Sequence, residues 1–261
     1  MGGLKMSKKK RIIIAVITFG MLMLLWYLAT DVFGLIPALK LPGPTKVFQT
    51  FVKKFTVKKP DGATLPQHIW SSLKVALLGF GFGTVIGIPL GIAMAWWRRA
   101  DLIIKPIFNL IRPIPPLAWI PLMILWIGIG TTSKAIIIFV SAFIPCVINA
   151  YSGIKQTSPV HMWVAQTFGA SRNKILLTVA IPTALPSIFT GMRLSLSMAW
   201  TSLVAAEMLA SNSGLGFMIQ VSRMMARIDI IIVGLITIGV IGAIMSGLLN
   251  LLERKLVSVW N

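Results

Sequence analysis

The sequence predicts an all-α polytopic membrane protein with six spans. Three observations carry that expectation. Hydrophobic residues make up 56% of the chain and charged residues only 12%, where soluble domains carry about 25% charge. Several apolar runs reach the ~20 residues that an α-helix needs to cross ~30 Å of hydrocarbon. Basic residues gather at the ends of those runs, as membrane topology requires. A β-barrel is excluded because the runs are continuously apolar and do not alternate with period two.

The first run, 12–30, follows the basic head KMSKKKR. It is longer than a 7–15-residue signal core and lacks a small-x-small cleavage site, so it reads as a retained span with its N-terminus inside. Residues 31–72 form a polar stretch, expected outside. In its middle Val47, Phe48, Phe51, Val52 and Phe55 have helical spacing, which predicts an interfacial amphipathic helix.

A second span is expected at about 73–96 and is followed by the basic turn at Arg98 and Arg99. A third apolar region, about 103–127, is interrupted by Pro113, Pro115, Pro116 and Pro121. Further spans follow at about 134–153, 186–208 and 228–250. The segments 1–11, 97–105, 154–185 and 251–261 would then be cytoplasmic. Lys40, Lys46, Lys53, Lys54, Lys58, Lys59 and Lys74, in the long first external loop, pull against this orientation. The positive-inside bias is weakest in long loops, so the orientation set by the first span is kept.

The formal charge of +19 invites a nucleic-acid reading, but topology accounts for the clustering at span ends. With Cys146 as the one cysteine, no intrachain disulfide or cysteine metal cluster can form. His68 and His161 have no second ligand candidate beside them, so no zinc site is expected. No nucleophile–base pair, carboxylate cluster or phosphate loop is found, which argues against an enzyme.

Gly79, Gly83, Gly87 and Gly91 recur every fourth residue along the second span. With no preceding strand, their GxG look does not mark dinucleotide binding. They place a smooth stripe on one helix face, suited to close packing within the chain or to a groove along a pathway or subunit contact. In 111–130, prolines remove backbone donors, and the freed carbonyls must face protein or a watery cavity. Arg112, beside this broken helix, either neutralises an anion or snorkels to the inner interface; Trp119 follows it.

Glu207 sits near the outer end of the fifth span, where an intramembrane carboxylate is costly. It either faces the pathway, with Trp200, Thr201 and Ser202 as its wall, or is a structural acid paired with Arg223 or Arg227. The following SNSGLGF reads as a re-entrant turn, with Gly214 and Gly216 allowing tight geometry.

The segment 159–182 is amphipathic and mildly basic. Its spacing predicts two short helices broken at Gly169, the second capped by Ser171. Such a hairpin suits either a groove on a partner protein or the lipid interface.

Here the chain resembles a known family. Ala165, then three residues, Gly169, nine residues, and Val179-Ala180-Ile181-Pro182 is similar to the "EAA" signature of permeases in bacterial ABC importers. Trp163 and Val164 stand where that signature has Glu and Ala, so the family's glutamate is missing. LPGPTKV, RPIPPLAWIPLMILWIGIG, GASRNKILLTVAIPTALPSIFTGMR and WTSLVAAEMLASNSGLGFMI extend the likeness over nearly the whole chain. They resemble the branch serving taurine, alkanesulfonates, nitrate and bicarbonate, and taurine-type permeases most.

The resemblance implies a type I ABC importer (MetI-like) permease fold in the bacterial inner membrane, with both termini cytoplasmic and residues 12–261 forming one permease domain. It implies a homodimer, two cytoplasmic ATPase subunits that bind ATP and Mg, and an extracytoplasmic binding protein. This chain would carry no cofactor and bind no nucleic acid. Trp163, Val164, Ala165, Gln166, Thr167, Phe168, Gly169, Ala170 and Ser171 would form the coupling helix on which the ATPase docks, with Pro182 and Pro186 as a stiff elbow into the fifth span. Arg112, Trp119, Trp200, Thr201, Ser202 and Glu207 would line the pathway. Taurine or another sulfonate is the expected substrate; nitrate, bicarbonate, an aromatic carboxylate or a thiamine-precursor pyrimidine are the alternatives. A stand-alone channel or secondary carrier is the competing class, but it has no use for the Gly169 segment.

Overall fold

The structure is a computed structural model that describes residues 8–257. Residues 1–7 of the expected cytoplasmic N-terminus and 258–261 of the tail lie outside the described residues. Every described element is helical: α1 (Lys8–Tyr27), α2 (Pro44–Lys54), α3 (Leu65–Trp96), α4 (Arg98–Ile111), α5 (Ile120–Ile127), α6 (Thr131–Lys155), α7 (Pro159–Thr167), α8 (Arg172–Ile175), α9 (Ile181–Leu209), α10 (Leu215–Met224) and α11 (Ile228–Val257). Five stretches are long and apolar enough to cross a membrane, and the bent pair α4–α5 makes a sixth if it is one span.

Three boundaries differ from expectation. α3 begins at Leu65, not near 73. Pro66 is tolerated in a first helical turn, and the polar residues that follow it find partners, described below. The third region is two helices bent by 79°, with a 3₁₀ turn at Pro116–Trp119 between them. Successive prolines there remove the donors a straight helix needs.

The elbow expected at Pro182 and Pro186 is absent. The helix runs from Arg172 to Leu209 as one stretch, with a wide π turn at Leu176–Ala180 in which the Ile181 N–H reaches Leu176 O. A widened turn just ahead of Pro182 accommodates its ring and missing N–H.

The chain divides into two compact units. One comprises, among the described residues, 66–217 and 237–257. Its centre is α6, and the packing is carried by small residues at i, i+4 on facing helices. A Cβ on Gly79 would meet Ile138, on Gly83 Ala142, on Gly87 Cys146 and on Gly91 Ala150, all at or under 3.0 Å. The glycine stripe of α3 thus lies on the stripe 138–142–146–150 of α6, the i±4 ridge packing that lets two backbones come close. On another side of α6, Gly191 of α9 abuts Asn149, and the Ser195 hydroxyl donates to Ala142 O at 2.6 Å. Arg193 pairs with Glu253 of α11 at 3.0 Å.

The other unit comprises, among the described residues, 8–65 and 218–236. The Asp31 carboxylate accepts the Thr45 hydroxyl at 2.8 Å and so holds the first turn of α2. Buried Thr50 donates to Asp229 at 2.8 Å, and Arg227 pairs with the same carboxylate at 2.8 Å. Lys54 is buried against Asp61 and donates to Ala63 O at 2.8 Å. The residues of α2 turned inward are therefore Val47, Thr50 and Lys54, while Phe48, Val52 and Phe55 remain exposed.

Candidate functional site

The first site is the hairpin around Gly169. α7 starts with Pro159 in its first turn, where the missing N–H costs nothing. It ends at Phe168, and Gly169 follows with φ +74°, the left-handed conformation that closes many helices and favours glycine. The Ser171 side chain then accepts the Lys174 N–H at 3.4 Å and opens α8. Arg172 folds back, donating to Trp96 O at 2.8 Å and lying over the Trp96 ring. That contact ties the hairpin to the end of α3.

The outward face of the hairpin is apolar. Val160, Trp163, Val164 and Phe168 fall on one helical stripe and all are exposed, Phe168 by 86%. Ala165 and Ala170 are half-buried behind them, while Gln166, Thr167 and Ser171 are exposed. Behind the hairpin lies a cleft of about 530 Å³ lined in part by Trp96, Lys155, Met162, Gln166 and Arg172.

The second site is a buried polar cluster that includes Glu207. This residue is 0% exposed, so its partners decide its role. The Ser72 hydroxyl lies 2.9 and 2.8 Å from the two carboxylate oxygens, and the Gly216 N–H donates to Oε2 at 3.0 Å. Ser72 Oγ accepts the Leu215 N–H at 2.9 Å, and His68 Nδ1 accepts the Gly214 N–H at 3.1 Å. Ser211 Oγ takes the Ser213 N–H at 3.2 Å and the Lys134 ammonium at 2.7 Å.

Four consecutive N–H groups, from Ser213 to Gly216, thus find side-chain acceptors. They include the first donors of α10, which no intrahelical carbonyl can reach. A carboxylate is also the favoured charge at that position, and buried Lys134 joins the cluster through Ser211. The cluster fixes the turn at 210–214, in which Gly214 has φ +114°. The expected pairing of Glu207 with Arg223 or Arg227 does not occur. Arg227 is committed to Asp229, and the partners of Glu207 are Ser72 and Gly216.

The remaining candidates scatter. Trp200 is buried, donates to Ile238 O at 3.1 Å and packs on Gly242. Ser202 is buried and Thr201 exposed. Trp119 is half-buried against the cluster of Ile120, Met123, Ile137, Ala206 and Ala210. Arg112 is exposed at the end of α4. The six therefore do not converge on one cavity.

Sequence reasoning missed His68, Ser72, Lys134 and Ser211. Two signals were available. His68 and Ser72 are spaced i, i+4, which places them on one helix face, and Lys134 heads an apolar run in which a charge needs a partner.

This fold is that of a helical membrane protein built around close-packed small-residue stripes, with an exposed apolar hairpin at one end. Residues 87–258 match the family model described as "Binding-protein-dependent transport system inner membrane component", and the chain belongs to that family. It is 38% identical over 250 residues to the taurine transport system permease protein TauC of Escherichia coli (strain K12), covering 95% of this chain and 90% of that protein. It is 34% identical to a putative aliphatic sulfonates transport permease protein, SsuC, of Bacillus subtilis (strain 168), over 85% of this chain and 79% of the relative. Identity to the nitrate import permease protein NrtB of Synechocystis sp. is 33%, over 83% and 80%. A chain from the inward-facing MetNI methionine ABC transporter shares the fold, with TM-score 0.59 and 21% identity over 76% of this chain and 96% of that one. The protein is thus a permease subunit of the ABC importer class, of the taurine, sulfonate, nitrate and bicarbonate branch.

Proposed function

We propose that two copies of this chain form the membrane pathway of an importer for a small organic anion, with taurine or another sulfonate as the cargo. Two ATPase subunits, which bind ATP and Mg, dock on residues 163–171, and an extracytoplasmic protein delivers the cargo. Both termini are cytoplasmic in this reading.

The observation that carries it is the unpartnered stripe Val160, Trp163, Val164 and Phe168 beside a glycine at φ +74°. An apolar face of this kind suits a partner's groove, and in this chain the docking relies on shape and apolar contact because Trp163 occupies the family's glutamate position. The contact of Arg172 with Trp96 gives the hairpin a mechanical link to α3. Movement of a docked ATPase would then reach the spans through a short rigid path.

For the pathway, Arg112, Trp119 and Thr201 are the candidates with accessible surface, and Trp200, Ser202 and Glu207 are buried. The likeness to sulfonate permeases favours a sulfonate, and the nitrate relative keeps smaller anions as the second reading.

Two measurements test this. Co-purification of the nucleotide-binding subunit and its ATPase activity should be lost on Gly169→Asp; survival of both would refute the docking role. Thermal-shift screening of the partner binding protein should favour sulfonates, and a preference for a neutral pyrimidine would refute the cargo.

A further inference from the structure

α4 buries Phe108 and exposes both an apolar and a polar stripe. Leu102, Ile103, Ile107 and Leu110 are exposed, by 57 to 76%. Lys105, Asn109 and Arg112, spaced i, i+4 and i+7 on one stripe, are exposed as well and line an open recess of about 190 Å³ against α6. Tyr151 and Ser152 of α6 complete its polar lining, and Phe108 and Val147 are part of its apolar wall. An exposed polar stripe bordering a recess on a membrane helix needs water or a ligand there, because lipid cannot solvate it.

Lys105 and Tyr151 are paired here, while three other polar side chains are uncommitted, in contrast to those around Glu207. Lys105 is held at 3.0 Å from the Tyr151 hydroxyl and 3.9 Å from Asp101. The side chains of Arg112, Asn109 and Ser152 have no hydrogen-bond or ion-pair partner among the described residues. A guanidinium, an amide and a hydroxyl thus converge with an ammonium on one space. That set is rich in donors and suits an oxyanion.

The volume restricts the ligand further. Drug-sized ligands occupy pockets of ~300–1,000 Å³, so a space of about 190 Å³ takes a small anion. The cavity lies one helical turn from Ile154 and Lys155, which line the cleft under the Gly169 hairpin. It is therefore at the end of the unit that the ATPase would move.

Resting on the importer reading above, we infer that Lys105, Asn109, Arg112, Tyr151 and Ser152 form a way station for the transported oxyanion, a sulfonate, carboxylate or nitrate, beside the coupling hairpin. Arg112 and Asn109 bind the anionic head, and Lys105 holds the Tyr151 wall in place.

The test uses the whole complex, with its ATPase and binding protein, in proteoliposomes, with radiolabelled taurine and nitrate as probes. Arg112→Gln and the double truncation Asn109→Ala/Ser152→Ala should each lower uptake of the transported probe about tenfold or more, the scale of one charge-assisted hydrogen bond. Co-purification of the ATPase subunit should persist, which shows that assembly is intact, and the double truncation covers the case in which Arg112→Gln fails to fold. Both effects should appear equally in phosphatidylcholine vesicles and in vesicles containing phosphatidylglycerol.

Unchanged uptake in both variants, with wild-type uptake of an anion, overturns the way station and leaves the importer reading standing. A defect confined to phosphatidylglycerol vesicles assigns the donors to a lipid headgroup and overturns it as well. Wild-type uptake of a neutral pyrimidine in place of either anion refutes the cargo reading itself, and the site with it.

Discussion

The hydroxyl of Ser72 lies 2.8 Å from Oε2 of Glu207, although 135 positions separate them in sequence. The same hydroxyl accepts the Leu215 N–H, and the same carboxylate oxygen accepts the Gly216 N–H. One pair of side chains therefore seals the start of α10 in the low-dielectric interior of the protein. Its members are interdependent, since removing either leaves a buried group unpaired.

Glu207→Ala is accordingly expected to damage folding before transport. It strands the Ser72 hydroxyl and the Gly216 N–H, and breaking a buried charged set in this way costs ~3–5 kcal/mol. Glu207→Gln keeps the shape and one acceptor and should cost less. Thermal unfolding of the detergent-purified protein ranks the two. A wild-type melting temperature for Glu207→Ala with transport abolished would place the residue in the pathway instead.

Gly214→Ala should reproduce part of that defect without touching a charge. The residue sits at φ +114°, and a Cβ there would run into the Glu207 carboxylate. The backbone penalty alone is ~1–2 kcal/mol. Yield of monodisperse protein is the simplest readout, and an undiminished yield would contradict the cluster as drawn.

The glycine stripe makes a paired prediction on α3. Gly83→Leu places side-chain atoms where Ala142 already stands, whereas around Gly81 nothing lies within 4 Å. Overpacking costs ~1–3 kcal/mol, so Gly83→Leu should lower the melting temperature and Gly81→Leu should not. Equal effects at both positions would mean that α3 does not meet α6 through this stripe.

Phe168→Ala tests the hairpin without disturbing the fold. The side chain is 86% exposed, so its removal should leave stability within the ~0.5 kcal/mol typical of surface changes. Capture of the ATPase subunit should weaken markedly. Undiminished capture would move the docking surface elsewhere.

Asp61→Asn addresses the lysine-rich region between α2 and α3. Lys54 is buried with Asp61 as its counter-ion and Ala63 O as a further acceptor, so loss of the carboxylate leaves an uncompensated cation at a cost of ~3–5 kcal/mol. Lys53→Ala, on the exposed side of α2, is the control and should be silent in the same unfolding measurement.

What was legible in the sequence follows from local chemistry. Gly169 and Ser171 announce a helix end and a helix start, because a left-handed glycine and a capping hydroxyl act within a few residues of themselves. The stripe from Gly79 to Gly91 declares a close-packing face through its period. The membrane class follows from uninterrupted apolar runs, since lipid contact is a property of each segment separately.

Partnership was the harder matter. Glu207 could be recognised as a carboxylate needing compensation, but Ser72 and Gly216 are ordinary residues until the fold brings them together. Pro182 and Pro186 argue for a bend only until a widened turn absorbs them. Arg112 could be singled out as a cation beside a broken helix, while its neighbours Asn109 and Ser152 acquire meaning only from a shared cavity. The sequence by itself determined the class, most of the helices and the hairpin around Gly169, because propensity, capping and hydrophobic period are local. Only the tertiary structure decided which buried polar groups are satisfied and which donors remain open, because that depends on residues far apart in the chain meeting at hydrogen-bonding distance.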